Sequence, residues 1–387
     1  MRIAFVTEHF YPFVGGISEH TFHLAQSLAK NNEVFVFAPH YLGIKYIPLP
    51  QRPLFEIIRI GKATFFPANG SMTAFTYTPS ALFAFRDYLK MKFDIIHIQG
   101  SVVPTLPLFA SLSHTDAIKV VTFHAHHKKS IGYTLFKSVF TKALAKLDGF
   151  IAVSRAAKDT IESHFKIAPL SIIPNGIDTT RFTPYGEKID RFNDGKFNIL
   201  FVGRMEKRKG LDVLLKSLMD IETEQFRLIV VGDGPLMEKY KKQSKRLKIE
   251  VVFTGKVSPH NLSMLYRSSH IFVAPSTMGE SFGIVLLEAM ASGVPIIASS
   301  IDGYRETLKE GKYGILFENE NVYDLRKKIL YLYERGDLRE KLSKKGQLYV
   351  KTNYSWDVIA QKTMDFYLSL LSKEQIKSED ALFSEKL

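Results

Sequence analysis

The sequence predicts an α/β protein built from two doubly wound parallel sheets. Short apolar, β-branched runs alternate with helix-period stretches from end to end, the pattern of parallel strands joined by crossover helices. At 387 residues the chain can bury two separate cores. A polar, Gly- and Pro-containing segment, RFTPYGEKIDRFNDGK at 181–196, interrupts the alternation before a new apolar run restarts it, and the domain boundary is expected there.

Composition narrows the function classes. The hydrophobic fraction of 45% is that of a globular protein, and no run approaches the ~20 apolar residues of a membrane-spanning helix. The first residues, MRIAFVTEHF, enter a strand directly and show no cleavable leader, and cysteine is absent, so a disulfide framework and thiolate metal sites are excluded. A cytoplasmic location is the expectation. The formal charge of +13 calls for an anionic partner. Residues 1–150 hold fifteen Lys and Arg against eight Asp and Glu, so more than half of the excess lies in less than half of the chain. That surface is suited to a nucleotide, nucleic acid or anionic lipid.

In chain order, 2–9 reads as the first strand, followed by a loop with Gly15 and Gly16 and an amphipathic helix. Glycines at the carboxyl edge of a parallel sheet let backbone N–H groups approach a phosphate. A second strand at 33–39 precedes a long aromatic and Pro-rich stretch, 40–80, containing PANGSMTAF. Asn69-Gly70-Ser71 matches a glycosylation acceptor, a pattern without meaning in a cytoplasmic chain. Further strands are read at 94–100 and 119–129, the latter placing His124 at a strand end. His126 and His127 lie nearby, but no carboxylate or thiolate adjoins them, and no metal site is assigned. Residues 134–150 read as an amphipathic helix with Phe136, Val139, Phe140, Ala143, Leu144 and Leu147 on one face and lysines off it. A membrane-facing role for that basic face is the competing reading.

Past the boundary, the strand at 197–203 runs into RMEKRKG, a loop in which Arg204 and Lys209 can clamp and neutralise a diphosphate. Strands are expected at 226–234, 250–257, 270–276 and 313–318, and a final amphipathic helix at 354–371 carries the only tryptophan, ahead of a tail expected to be mobile. The densest signal is GESFGIVLLEAMASGVPIIAS, 279–299. Glu280 sits in a loop, Gly283 opens a helix, and Glu288 lies about two turns in, among Ile284, Val285, Leu286, Leu287 and Met290. The first N–H groups of that helix, at Gly283, Ile284 and Val285, form a ready phosphate site. A charge inside so apolar a helix needs a partner.

The pattern of Glu280, seven residues, Glu288 and AMASGVPIIAS resembles the retaining glycosyltransferases of family 4, and the resemblance runs in motif order from residue 1 to about 370. Within the family the strings P-x-N-G-S, T-F-H plus a lysine, and D-G-Y-R are most similar to those of the inositol-lipid mannosyltransferases. The resemblance implies the GT-B fold: two Rossmann-like domains facing a deep cleft, the first (1–190, completed by a helix at 355–371) for the acceptor and the second (195–354) for a nucleotide-sugar. It implies a transferase that moves mannose from GDP-mannose to a phosphatidylinositol-type lipid on the inner face of the membrane. A UDP-sugar enzyme of glycolipid or polysaccharide synthesis is the alternative. His124, Arg204, Lys209 and Glu280 are the implied catalytic residues. Donor contacts fall on Gly16, Val257, Ser281, Phe282, Gly283, Ile284, Val285 and Glu288. Acceptor contacts fall on His9, Asn69, Ser71 and Lys129, although the His9-Phe10-Tyr11 set differs from that of the inositol enzymes. Gly303 and Glu306 partly match a further family loop, G-G-x-x-E. No D-x-D motif is present, so no metal and no other cofactor is expected. A nucleic-acid partner is not expected, since it would leave the paired glutamates unexplained.

Overall fold

A computed structural model describes residues 1–13, 15–43, 47–68, 71–76, 83, 85–88, 90–100, 105–124, 137–221, 224–278, 280 and 282–384. The chain forms two compact units, Met1–Gly176 with Trp356–Leu387, and Ile177–Ser355.

In the first unit β1 (Arg2–Thr7), β2 (Glu33–Tyr41), β3 (Glu56–Ala68), β4 (Ser71–Thr76), β5 (Ile95–Gln99), β6 (Ile118–Phe123), β7 (Gly149–Ala152) and β8 (Leu170–Ile172) make one sheet of order β4-β3-β2-β1-β5-β6-β7-β8. Every pairing is parallel except β3–β4. The crossovers carry α1 (Gly16–Leu28), α2 (Leu106–Leu112), α3 (Lys137–Leu144) and α4 (Arg155–Glu162). Strands β5 and β6 are buried throughout, as expected of a parallel sheet covered on both faces. One core lies between the sheet and α2 and α3, with Phe37, Ile98, Val121 and Phe140. The other lies beneath α1 and α12 (Trp356–Ser384), with Phe5, Phe22, Val120 and Tyr367.

The second unit has six strands: β9 (Phe197–Val202), β10 (Phe226–Val231), β11 (Glu250–Gly255), β12 (Ile271–Ala274), β13 (Ile296–Ser299) and β14 (Ile315–Phe317), in the order β11-β10-β9-β12-β13-β14, all parallel. Around them lie α5 (Leu211–Ser217), α6 (Met237–Ser244), α7 (Pro259–Arg267), α8 (Ile284–Ala291), α9 (Asp302–Leu308), α10 (Val322–Glu334) and α11 (Gly336–Tyr354).

Five features differ from the sequence reading. The aromatic stretch 40–80 supplies β3 and the antiparallel β4; its bulky residues Phe55, Ile60 and Phe65 suit a pleated, half-buried surface. The crossover between units comes at Gly176/Ile177, upstream of 181–196. Ile177 donates its N–H to the Tyr354 carbonyl (2.8 Å), and Phe182 and Phe192 insert into the second core, so the polar segment is anchored there by its aromatics. Val139 of α3 is exposed, while Phe140, Ala143 and Leu144 are buried; the apolar stripe is narrower than the sequence suggested. The segment 302–308, read as a loop, is helix α9. Helix α12 runs on to Ser384, into the tail expected to be mobile. Among the described residues no helix is long and apolar enough to cross a membrane.

Helix α12 is locked to the first unit by close approaches at glycine. A Cβ on Gly176 would stand 2.5 Å from the indole of Trp356, and one on Gly149 would stand 2.5 Å from Leu370. The Trp356 indole stacks on His23 with ring centroids 5.4 Å apart. Gly176→Val should therefore destabilise the first unit by about 1–3 kcal/mol through overpacking. The buried Trp356 makes a convenient probe: urea unfolding followed by its fluorescence should show a lower midpoint, and an unchanged midpoint would contradict this packing.

Candidate active site

Ligands of open parallel sheets collect where neighbouring strands send their crossovers to opposite faces, at the carboxyl edge. In the second unit that point lies between β9 and β12. The loop leaving β9 is Gly203–Gly210, whose last turn, Lys207–Lys209, is a 3₁₀ turn. The loop leaving β12 carries Glu280. Gly210 has φ +67°, and a Cβ there would fall 1.8 Å from the Pro275 carbonyl oxygen, so only glycine lets the two loops touch. Contact follows: Thr277 N–H donates to the Arg208 carbonyl at 2.8 Å.

Two cations converge on Glu280. Its Oε1 accepts from Lys209 Nζ at 2.5 Å and from Arg208 Nη1 at 2.8 Å. The Lys209 and Glu280 side chains are only 14% and 12% exposed, so the pair is far less screened than a surface ion pair. Arg208 also reaches Glu206 at 3.0 Å. Arg204, the arginine singled out from the sequence, instead points outward, with its side chain 66% exposed and 3.1 Å from Glu206. Arg208 is the cation that sequence reasoning missed; within K-R-K only the turn geometry decides which side chains face the carboxylate.

Helix α8 starts behind Glu280. Gly283 is its N-cap at φ +72°, and a Cβ there would stand 2.5 Å from the Tyr304 ring. Tyr304 in turn donates to Ser276 Oγ at 2.9 Å. The N–H groups of the first turn have no carbonyl a turn earlier within the helix, as the sequence suggested. The helix is not sheathed all round: Ile284 is exposed, and Val285 and Glu288 are partly so, which leaves one open stripe. Glu288 has the partner that its apolar surroundings demand, the hydroxyl of Tyr266 on α7 at 2.8 Å from Oε2. Burial first, then the Glu288 charge, hold the Tyr266 phenol well above its usual pKa, so it remains the donor. Phe282 is a core residue, packed 5.6 Å from Tyr354, and only its backbone is left to meet a ligand. Val257, partly exposed, follows β11 on the same sheet edge. Ser281 lies outside the described residues.

In the first unit the corresponding point lies between β1 and β5. Gly16 opens α1 and is exposed; its φ is not positive, and among the described residues no atom lies within 4 Å of where a Cβ would stand. The fold itself places no demand for glycine there, in contrast to Gly210. His124 directly follows β6, and its Nε2 lies 2.9 Å from Gln99 Oε1 at the end of β5. His9 accepts the N–H of Ala74 on β4 at Nε2 (3.1 Å), so the missed strand brings the segment starting at Ser71 beside the β1 edge. Glu8, also missed, is almost fully buried and accepts from Thr76 and, at 2.8 Å, from Thr105. Its only signal was a carboxylate directly after an apolar strand. Asn69, Lys129, His126 and His127 lie outside the described residues. Among those described, no three His, Asp or Glu are grouped to hold a metal ion.

Two predictions follow from these environments. Tyr266→Phe leaves Glu288 without its phenolic donor and should destabilise the second unit by about 1–3 kcal/mol, read by urea denaturation. The second concerns pH. Burial pushes His9 and His20 down to about 4, and His97 and His124 well below the usual imidazole value. An unfolded chain binds protons at these sites where the folded one does not, so their contribution is complete above about pH 6.5 and is lost as pH falls toward 4. Glu8, its carboxyl raised by burial, opposes this with a single group. The first unit should melt at falling temperature between pH 6.5 and 4, and His20→Gln should flatten that slope. An unaltered slope would contradict the assignment.

Comparison with known proteins matches this arrangement. Residues 14–181 match the model of Glycosyltransferase Family 4, and residues 187–349 that of Glycosyl transferases group 1. The phosphatidyl-myo-inositol mannosyltransferase of Mycobacterium leprae is 30% identical over 98% of this chain and 100% of its own length. The alpha-monoglucosyldiacylglycerol synthase of Streptococcus pneumoniae is 26% identical over 98% of this chain and 88% of its own. Among solved structures, a glycosyltransferase from Rickettsia africae superposes with a TM-score of 0.74 at 21% identity, over 96% of this chain and 99% of its own. Anabaena HepE in complex with UDP does so with a TM-score of 0.70 at 18% identity, over 95% of this chain and 100% of its own. The chain belongs to glycosyltransferase family 4 and has the GT-B fold of two parallel-sheet domains.

Proposed function

We propose that this glycosyltransferase moves a mannosyl residue from GDP-mannose to a phosphatidylinositol-type lipid, with retention of configuration, at the inner face of a membrane. The observation that carries the donor side is the Lys209–Glu280–Arg208 cluster directly ahead of the α8 N-terminus. Departure of a nucleoside diphosphate concentrates negative charge on its phosphates, and preorganised cations in a partly buried site stabilise that charge most. Lys209 and Arg208 neutralise it together with the first N–H groups of α8; Arg204, exposed on the same loop, and the open backbone at Gly16 are further proposed phosphate contacts. Glu280 binds sugar hydroxyls and Glu288 the ribose, while Val257 lies by the base and His124 meets the sugar. Among these residues no further carboxylate stands ready as a nucleophile. The leaving phosphate therefore takes the proton of the incoming hydroxyl on the same face, which retains configuration. The cations supply the charge stabilisation, so the reaction needs no metal.

The acceptor assignment is supported by near-full-length identity to enzymes named for phosphatidyl-myo-inositol and by the net charge of +13, which favours an anionic surface. His9, Asn69, Ser71 and Lys129 are the residues proposed to meet it. A second reading, a UDP-sugar enzyme making another glycolipid, is favoured by the 26% identity to the monoglucosyldiacylglycerol synthase.

The test is turnover of a nucleotide-sugar panel by the purified protein, with and without phosphatidylinositol vesicles and with EDTA. GDP-mannose consumption that rises with inositol lipid and ignores EDTA is expected. UDP-sugar turnover indifferent to that lipid would replace the proposal by the second reading. Lys209→Ala and Glu280→Ala should each lower kcat by about 10²–10³, with the melting of the second unit retained.

A further inference from the structure

Behind His124 the first unit buries a line of polar groups that no packing requirement explains. Gln99 is 1% exposed and His97 and Tyr367 are fully buried; in the strand that carries His97 and Gln99 the other residues, Ile95, Ile96 and Ile98, are aliphatic. The line runs through four side chains. Tyr367 Oη of α12 lies 2.5 Å from His97 Nδ1; Gln99 Nε2 lies 3.1 Å from His97 Nε2; and Gln99 Oε1 lies 2.9 Å from His124 Nε2. Thr122 Oγ1 adds a contact of 2.7 Å to His97 Nε2.

Donor and acceptor chemistry orders this line. An amide nitrogen only donates, so His97 Nε2 offers its lone pair to Gln99 and Thr122, and its proton sits on Nδ1 facing Tyr367. The amide oxygen only accepts, so the His124 proton sits on Nε2. His124 Nδ1 is then the acceptor nitrogen, and the tautomer of one imidazole is passed to the other through Gln99. His20 adds to the case. Its ring stands edge-on to His124, centroids 4.6 Å apart, its Nδ1 is held by Asn175 Oδ1 at 2.9 Å, and its buried Nε2 has no hydrogen-bond partner among the described residues.

We propose that Gln99 is a positioning residue that holds His124 with its proton on Nε2 and its Nδ1 free to accept from a substrate hydroxyl, and that Tyr367, through His97, holds Gln99 in that orientation. This rests on the reading of His124 as a residue that meets the donor sugar. It also gives α12 a task at the site although Tyr367 and His97 are 270 positions apart in sequence.

The experiment uses the full chain. In ¹⁵N-histidine-labelled protein, two-bond ¹H–¹⁵N correlations should show His124 protonated at Nε2 and unprotonated at Nδ1. Gln99→Leu should lose that single tautomer and lower kcat roughly 10- to 100-fold while donor KM stays within about twofold. Gln99→Glu, which still accepts at the His124 end, should keep both the tautomer and most of kcat; it also serves if the leucine variant fails to fold. Tyr367→Phe should fall between the two. A wild-type His124 protonated at Nδ1, or full turnover of Gln99→Leu where His124→Ala is inactive, overturns the positioning role. Full turnover of His124→Ala overturns the reading of His124 itself.

Discussion

Glu280, shared between Lys209 and Arg208, is the interaction that turns two separate loops of the second unit into one site. The loops leave β9 and β12, and nothing in local sequence obliges them to meet. They meet because the parallel sheet reverses its winding between those strands and because Gly210 lets the backbone of one loop lie against the Pro275 carbonyl of the other. Bringing two cations to one partly buried carboxylate stabilises all three against desolvation, and it also gathers positive charge at the mouth of a helix whose dipole already favours anions. The arrangement is poised for a phosphate-bearing ligand.

The first unit solves a related problem differently. Its sheet edge carries polar groups held by uncharged partners: Glu8 by two threonines, His9 by a backbone amide, and His124 by Gln99. Burial keeps the imidazoles uncharged, so each can offer either a donor or an acceptor according to which nitrogen its neighbour holds. Such a surface suits hydroxyl-rich ligands, where direction of hydrogen bonding matters more than charge. On the proposed function, the two units thus divide the work: charge neutralisation in one, hydroxyl recognition in the other.

Helix α12 shows why the end of the chain belongs to the beginning. Trp356 closes on Gly176, Leu370 on Gly149, and Tyr367 reaches the centre of the sheet at His97. The second unit is therefore an insertion, in sequence terms, between the body of the first unit and its last helix.

Much of this was legible in the sequence, for definite reasons. The two parallel sheets are written in apolar runs of strand length, because strands covered on both faces admit few polar residues. Glu288 stood out because a carboxylate in an apolar helix needs a partner, Glu280 because it stands eight residues earlier at that helix's mouth, and the GG and RMEKRKG loops because small or cationic residues cluster at strand ends. Tertiary structure decided the rest. That Arg208 joins Lys209 on Glu280 depends on the 3₁₀ turn Lys207–Lys209, which the string RMEKRKG does not reveal. Strands β3 and β4 hid in an aromatic, Pro-rich stretch, since their pairing is with β2 and with each other rather than with any local pattern. Tyr266, Gln99, His97 and Tyr367 carried no signal at all. A hydrogen-bond partner is chosen by position in space: Tyr266 lies 22 positions from Glu288, Gln99 25 from His124, and Tyr367 270 from His97.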